Sequence, residues 1–389
     1  MFVDLSKEQQ ALRLRVRDYF SELMTPELRL ELRGQEGGDT YREVVRQIGR
    51  DGWLAVGWPK EYGGQGYAAT EQLIFFEEAN IAGAPLPFVT ISTVGPALMA
   101  HGNEAQKARF LPGIAAGEIH FSIGYSEPGA GSDLATLKTS ARQEGDRFIV
   151  NGNKLWTSGA ESADFIWLAA RTNPAEARHK GISILIVDTR SEGFAHTVIP
   201  TCSNPTAATY YDNVEVPSSL LVGELHKGWA LVTSQLNHER LGLGAWADKV
   251  VGLFRRVYLW AKAADAHGQR AVDKPWVRSL LAECYARLEA MRLINFRIAA
   301  DLEQGRMDIA LASITKVYGS ESVIEILRNL SEVVGAGGLV RAGSAAAFLH
   351  GELEYEIRAA VTSTFGGGTN EIQRELIAQF GLGLPRTSR

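Results

Sequence analysis

Ser126-Glu-Pro-Gly-Ala-Gly-Ser-Asp133 and, starting 28 residues later, Lys154-Leu-Trp-Thr-Ser-Gly159 decide the reading of this 389-residue chain. Gly129 and Gly131 lack a Cβ and let a backbone approach a partner closely. Ser126, Ser132 and Ser158 supply hydroxyls, and Trp156 supplies a flat aromatic face. Together they suit a flat cofactor with apolar faces and one polar edge. Taken singly, either segment also fits a tight surface turn or a core tryptophan.

Outward from these segments, Arg147-Phe-Ile-Val-Asn, Phe165-Ile-Trp-Leu-Ala-Ala, Gly181-Ile-Ser-Ile-Leu-Ile-Val-Asp188 and a run from Thr209 to Pro217 are β-rich and bounded by Gly, Asn or Asp. They predict a β domain over 119–227. On both sides the apolar period is helical. In 1–118, Ser6-Lys-Glu-Gln9 fits a capping box, followed by Leu12, Val16, Tyr19 and Phe20 at helical spacing. Further helices are expected around Tyr41–Asp51, Ala69–Ala82 and Glu104–Gly117. In 228–389 the pattern predicts a long helix from Trp229 to about Asp265. Helices over Trp276–Gln304, Ile309–Val334 and Leu349–Ser363 then complete a four-helix bundle.

Composition excludes several classes. Hydrophobic residues make up 45% and charged residues 22%, as in an ordinary globular protein. A net charge of -5 gives no basic field for nucleic acid. Cys202 and Cys284 have no metal-ligand spacing, so neither a zinc site nor a disulfide framework is expected. The N-terminus lacks the apolar stretch of a signal peptide. The uncharged run from Asn80 to Gly102 is broken by Pro85, Pro87 and Pro96, which predicts a buried helix-loop-helix and no membrane span. A cytoplasmic enzyme is the expected class. Gly335-Ala-Gly-Gly-Leu follows a helical pattern, so the strand that a dinucleotide fingerprint requires is missing.

One carboxylate stands out in Leu236-Asn-His-Glu-Arg-Leu241. Val232, Leu236, Leu243 and Trp246 lie at −7, −3, +4 and +7 from Glu239, on one helical face. A carboxylate on an apolar stripe is desolvated, and its pKa rises toward that of a useful base. The same pattern fits a structural carboxylate paired with Arg240, Arg255 or Arg256.

In their order along the chain, SEPGAGSD, KLWTSG, NHER and a C-terminal GGTNEIQRE resemble the acyl-CoA dehydrogenases. These flavoproteins place an α,β double bond in a CoA thioester. Gly57-Trp-Pro-Lys-Glu-Tyr-Gly-Gly64, Phe121-Ser-Ile-Gly-Tyr-Ser126 and Thr364-Phe-Gly-Gly-Gly-Thr-Asn370 are similar to the flavin-binding subunit of actinobacterial steroid-side-chain members. The resemblance implies a multidomain α and β fold: an N-terminal helical domain, a middle β-barrel-like domain and a C-terminal four-helix bundle. It implies FAD, with Tyr125 and Ser126 along the pyrimidine edge and Ser132 near the pyrophosphate. Trp156 would lie on the ring system and the Ser158 hydroxyl near N5. Gly367, Thr369 and Glu371 would be further flavin contacts. Serine stands at 126 and 158, where the family usually has threonine, and keeps the hydroxyl.

The departures from the family are informative. The usual base lies in a Tyr-Glu-Gly-Thr stretch, but here Phe365-Gly-Gly-Gly-Thr369 puts Gly367 at the glutamate's position. Some branches supply the base from an earlier helix, at the position of Glu239. Arg240, Gly366 and Gly367 then fall to the acyl-CoA substrate, the Gly367 amide polarising the thioester carbonyl. The two glycines leave room for a bulky acyl group. The family's Arg-x-x-Phe-Gly has become Ala264-Asp-Ala-His-Gly268, and its Gln-x-x-Gly-Gly has become Glu332-Val-Val-Gly-Ala336. Ala264 cannot grip a neighbour's pyrophosphate as an arginine fork does. The resemblance therefore implies a homologous partner in an α2β2 heterotetramer, with a homotetramer as the alternative. It implies an electron-transfer flavoprotein as acceptor. An oxygen-using acyl-CoA oxidase and a non-catalytic scaffold subunit are the rival readings.

Overall fold

The structure, a computed structural model, describes residues 4–176, 178–306 and 308–385; for residues 234–249 it describes the backbone alone. Along the chain come α1 (Lys7–Leu23), α2 (Pro26–Leu32), α3 (Asp39–Arg50), α4 (Ala69–Ala82), α5 (Gly95–His101) and α6 (Glu104–Ala115). The strands follow: β1 (Phe121–Gly124), β2 (Ser140–Glu144), β3 (Arg147–Lys154), β4 (Phe165–Arg171), β5 (Ile182–Asp188), β6 (Phe194–Ile199), β7 (Thr206–Pro217) and β8 (Leu221–Val222). The chain ends in α7 (Gly228–Lys262), α8 (Pro275–Glu303), α9 (Ile309–Val334), α10 (Glu352–Ala360) and α11 (Asn370–Leu376). Helical N- and C-terminal regions thus flank a central sheet, as expected. No described helix is long and apolar enough to cross a membrane.

The chain forms two compact units. One comprises Glu31–Gly66 and Pro85–Glu239. Its described strands make one sheet in the order β6-β7-β3-β2-β4-β5-β8, with β1 parallel to β4. Residues 165–170 of β4 and 182–187 of β5 are buried without interruption. Strands covered on both faces read as continuous apolar runs, which is why FIWLAA and ISILIV show no alternation. Phe110 of α6 packs edge-on against Phe165 at 5.1 Å, and Phe121 of β1 stacks on Phe165 at 5.4 Å. The uncharged run after residue 85 is a π-helical turn (Val89–Val94) leading into α5. In it the Thr90 hydroxyl accepts from the Phe121 amide at 2.9 Å.

The other unit comprises Met1–Leu30, Tyr67–Ala84 and Arg240–Arg389. The expected capping box starts α1: Ser6 Oγ accepts from the Gln9 amide (3.2 Å), and Gln9 Oε1 accepts from the Ser6 amide (3.0 Å). Arg17 grips Glu78 of α4 with two hydrogen bonds of 2.9 and 2.7 Å, and Arg13 pairs with Glu77. The main core lies among α7, α8, α9 and α10. It uses Val250, Leu253 and Val257, then Leu281, Cys284, Leu288 and Met291, then Ile326, Leu330 and Val333, with Leu353. Their three- and four-residue spacing is the interior stripe of a helix bundle.

Candidate functional site

Lys154 is the last residue of β3, and its side chain is 0% exposed. Its ammonium donates to the Tyr125 carbonyl (3.0 Å) and to Glu127 Oε1 (2.8 Å). The Glu127 carboxylate also accepts from the Lys138 amide (2.7 Å) and the Thr139 amide (2.8 Å). One residue beyond Lys154, the Leu155 amide donates to the Ser126 carbonyl at 2.9 Å. Two segments far apart in sequence are thereby joined where β1 and β3 end.

Electrostatics follow from this arrangement. Burial pushes the Glu127 carboxyl up, but Lys154 and the two amides outweigh it and hold the group below its ordinary range. Burial pulls the Lys154 ammonium down to about 8, although Glu127 opposes the shift.

Trp156 has φ +63° and is 59% exposed. The left-handed region is costly for a bulky side chain, and an exposed indole gains little packing in return. Ser158 Oγ lies 3.0 Å from Thr206 Oγ1 of β7, and its carbonyl accepts from the Ser122 hydroxyl at 2.9 Å. Between them Thr157 is fully buried, its amide donating to Ala207 O at 2.9 Å. Buried Thr157 and hydrogen-bonded Ser158 thus fix the turn while Trp156 is left exposed. Tyr125 is buried, and its hydroxyl accepts from Trp167 Nε1 at 3.2 Å.

Gly129 and Gly131 are exposed, and neither has a left-handed φ. A Cβ built on either would meet no protein atom within 4 Å. The fold itself therefore has no need of glycine there. Ser132 is exposed on the same turn, beside Asp133, which Arg178 holds at 3.0 and 3.1 Å.

Arg240, Gly366, Gly367, Thr369 and Glu371 belong to the other unit, whereas Glu239 is the last residue of the first. Gly366 is exposed, and among the described residues a Cβ there would meet the Thr362 carbonyl at 3.3 Å and nothing else within 4 Å. Gly367 and Gly368 have φ +67° and +99°. Thr369 caps α11, its hydroxyl accepting from the Ile372 amide at 3.3 Å. Glu371 is exposed in the first turn of α11; its own backbone amide and the Thr369 hydroxyl hold it below the ordinary carboxylate range. Asn370, buried behind the loop, accepts from Lys316 Nζ at 2.6 Å and donates to Ser320 Oγ at 3.0 Å. Glu239 and Arg240 are on α7, but their side chains lie outside the described residues. No described cluster of three or more His, Cys, Asp or Glu could hold a metal ion.

The structure therefore brings Tyr125, Ser126, Trp156 and Ser158 together and places Ser132 further along the same turn. Gly366, Gly367, Thr369 and Glu371 share one loop and helix start. Sequence reasoning passed over Glu127, Lys154, Thr206 and Asn370. Glu127 and Lys154 were in plain view inside the two quoted motifs, as opposite charges in segments otherwise made mostly of glycine and hydroxyl residues.

Comparison with known proteins bears on the family and the fold. Residues 6–118, 122–214 and 226–382 match the family profiles for the acyl-CoA dehydrogenase N-terminal, middle and C-terminal domains. The chain is 50% identical over 402 residues to acyl-CoA dehydrogenase FadE26 of Mycobacterium tuberculosis, covering 100% of both chains. Among solved structures, it superposes on a chain of the Tcur3481-Tcur3483 steroid ACAD with a TM-score of 0.95 at 47% identity, covering 100% of each. A chain of the ChsE4-ChsE5 complex from Mycobacterium tuberculosis gives 0.92 at 50% identity, again covering 100% of each. Profiles spanning most of the chain, and relatives alike over their whole length, establish that this chain belongs to the acyl-CoA dehydrogenase family.

Proposed function

We propose that this chain catalyses FAD-dependent α,β-dehydrogenation of a bulky, steroid-type acyl-CoA thioester. The observation that carries the reading is the joined pair of turns: an exposed indole held at positive φ, hydroxyls beside it, and two glycines that the fold does not require. The donor set fits a flavin. A flat ring lying against the turns would account for the missing Cβ atoms at Gly129 and Gly131 and for the exposed face of Trp156. Tyr125, Ser126, Ser132, Trp156 and Ser158 would hold FAD; Gly367, Thr369 and Glu371 are flavin contacts by the family resemblance alone. When bound, the flavin supplies a hydride acceptor.

Glu239 is the base that removes the α-proton. Its place on an apolar helical stripe favours the neutral acid and so raises proton affinity. The backbone amide of Gly367 polarises the thioester carbonyl, which makes the α-proton more acidic. Gly366 and Gly367 open the acyl side of the site, and Arg240 supports the CoA. The steroid class rests on the names of the relatives and on the room at Gly366.

A homologous partner chain completes an α2β2 assembly. Ala264 and His267 stand in a turn closed by the Asp265 carboxylate, which accepts from the His267 and Gln269 amides at 2.8 and 2.9 Å. That turn offers no arginine fork to a neighbour's pyrophosphate. Tyr258 and Tyr285 both pack beside Phe254 and are themselves exposed, as aromatic rings that an assembly could cover. The electron acceptor is an electron-transfer flavoprotein.

Co-expression with the partner, followed by anaerobic mixing with a steroid side-chain acyl-CoA, tests this. Wild type bleaches the flavin band. Flavin-loaded Glu239→Gln should be slower by roughly 10²–10⁴-fold. Equal bleaching by both removes Glu239 from the mechanism, and rapid peroxide formation in air favours an oxidase.

A further inference from the structure

Lys154 and Glu127 do no chemistry in this reaction, yet they lie at the centre of the candidate cradle. Their side chains are 0% and 7% exposed. Withdrawing an ammonium and a carboxylate from water is costly, and apolar or neutral residues of the same shape often serve the fold as well. Burial works against the charged form of both groups, and for the lysine it prevails. The lysine's pKa of about 8 lies below the ordinary 10.5, so between those values the unfolded chain holds a proton that the native state releases.

What the pair supplies is register. One ammonium holds the Tyr125 carbonyl and the Glu127 carboxylate, and that carboxylate holds the amides of Lys138 and Thr139. The Leu155 amide closes on the Ser126 carbonyl. Trp156 follows directly, in a left-handed conformation with little cover of its own. Such a conformation persists only where surrounding contacts over-determine it.

We infer that the Lys154–Glu127 ion pair is a positioning device, which holds Trp156 and Ser126 in the arrangement that receives the flavin ring. The inference rests on the flavin reading above. Asp133, Lys138, Arg171 and Arg178 are the other charged groups of these turns and their neighbours. Asp133 and Arg178 pair with each other, and Arg171 donates to the carbonyls of Ala135, Leu137 and Lys180. None of these contacts replaces the bond from Lys154 to Glu127.

The test compares wild type, Glu127→Gln and the double variant Lys154→Met/Glu127→Gln, each purified as the full chain with its partner. The FAD dissociation constant is titrated after flavin removal. Visible circular dichroism of the bound flavin and the melting temperature are recorded alongside. Glu127→Gln keeps the shape and the acceptor oxygen, so it tests the charge where the double variant fails to fold. Both variants should bind FAD roughly tenfold more weakly or worse, with altered visible dichroism, whatever their melting temperature. Variants with the wild-type dissociation constant and spectrum would overturn the inference and leave the pair a purely structural contact. Wild type that binds no FAD in any assembly would overturn the flavin reading, and the inference with it.

Discussion

Replacing Trp156 by alanine and by glycine separates the backbone role of this residue from its side-chain role. At φ +63° a residue bearing a Cβ occupies the left-handed region, at a cost of roughly 1–2 kcal/mol. Glycine escapes that cost but loses roughly 0.5–1 kcal/mol through the greater freedom of its unfolded chain. Both variants lose the same indole, so its burial cancels in the comparison. The glycine variant should be more stable than the alanine variant by about 0.5–1 kcal/mol, the reverse of the order at a position of ordinary φ. Chemical denaturation of the flavin-free protein measures the difference. The two variants should lose flavin affinity alike. One aromatic contact of about 0.5–1.5 kcal/mol corresponds to a dissociation constant raised roughly two- to tenfold. An alanine variant as stable as the glycine variant would refute the backbone strain. Unchanged FAD affinity in both would refute the indole as the wall of the cofactor site.

Two further outcomes are expected. Thr369→Ala removes the cap of α11 and should cost about 1 kcal/mol, with a raised KM for acyl-CoA because the glycine loop enters the helix there; Thr369→Ser, which keeps the hydroxyl, should restore both in thermal melts and steady-state kinetics. His120 is buried, its ring nitrogen 3.1 Å from the Gly117 carbonyl, and burial, with Arg42 next, pushes its pKa below the ordinary 6.5. Between the two values the unfolded chain binds a proton that the native state does not. The histidine's contribution should therefore be intact above pH 6.5 and decline as pH falls below it, and His120→Gln should flatten that part of a melting-temperature profile.

Most of the helices could be read from the residues because their signals are local. The stripe Leu12, Val16, Tyr19 and Phe20 and the box at Ser6 each span only about two turns or less. The central strands β4 and β5 were legible as unbroken apolar runs, since both of their faces are covered. By contrast, β2 (SARQE) and β6 (FAHTVI) escaped notice. They lie mostly exposed, and only their partners β3 and β7 define them as strands. β7 begins at Thr206, three residues before the run that was read, because β6 extends the pairing to that point. Parallel β1 was likewise invisible, for its partner is β4, with Phe121 opposite Phe165.

The candidate site divides in the same way. The chain of residues alone determined which chemical groups are present: hydroxyls at 126, 132 and 158, an indole at 156, glycines where a ring could approach, and a carboxylate on an apolar stripe at 239. Tertiary structure alone decided that Glu127 and Lys154, 27 residues apart, would meet in the interior. It also decided that Trp156 would stand exposed at positive φ and that Thr206 would come to lie beside Ser158. The physical reason is range. Helical period and capping act over a few residues, whereas a buried charge finds its partner, and a costly backbone angle its support, only when distant strands have closed around them.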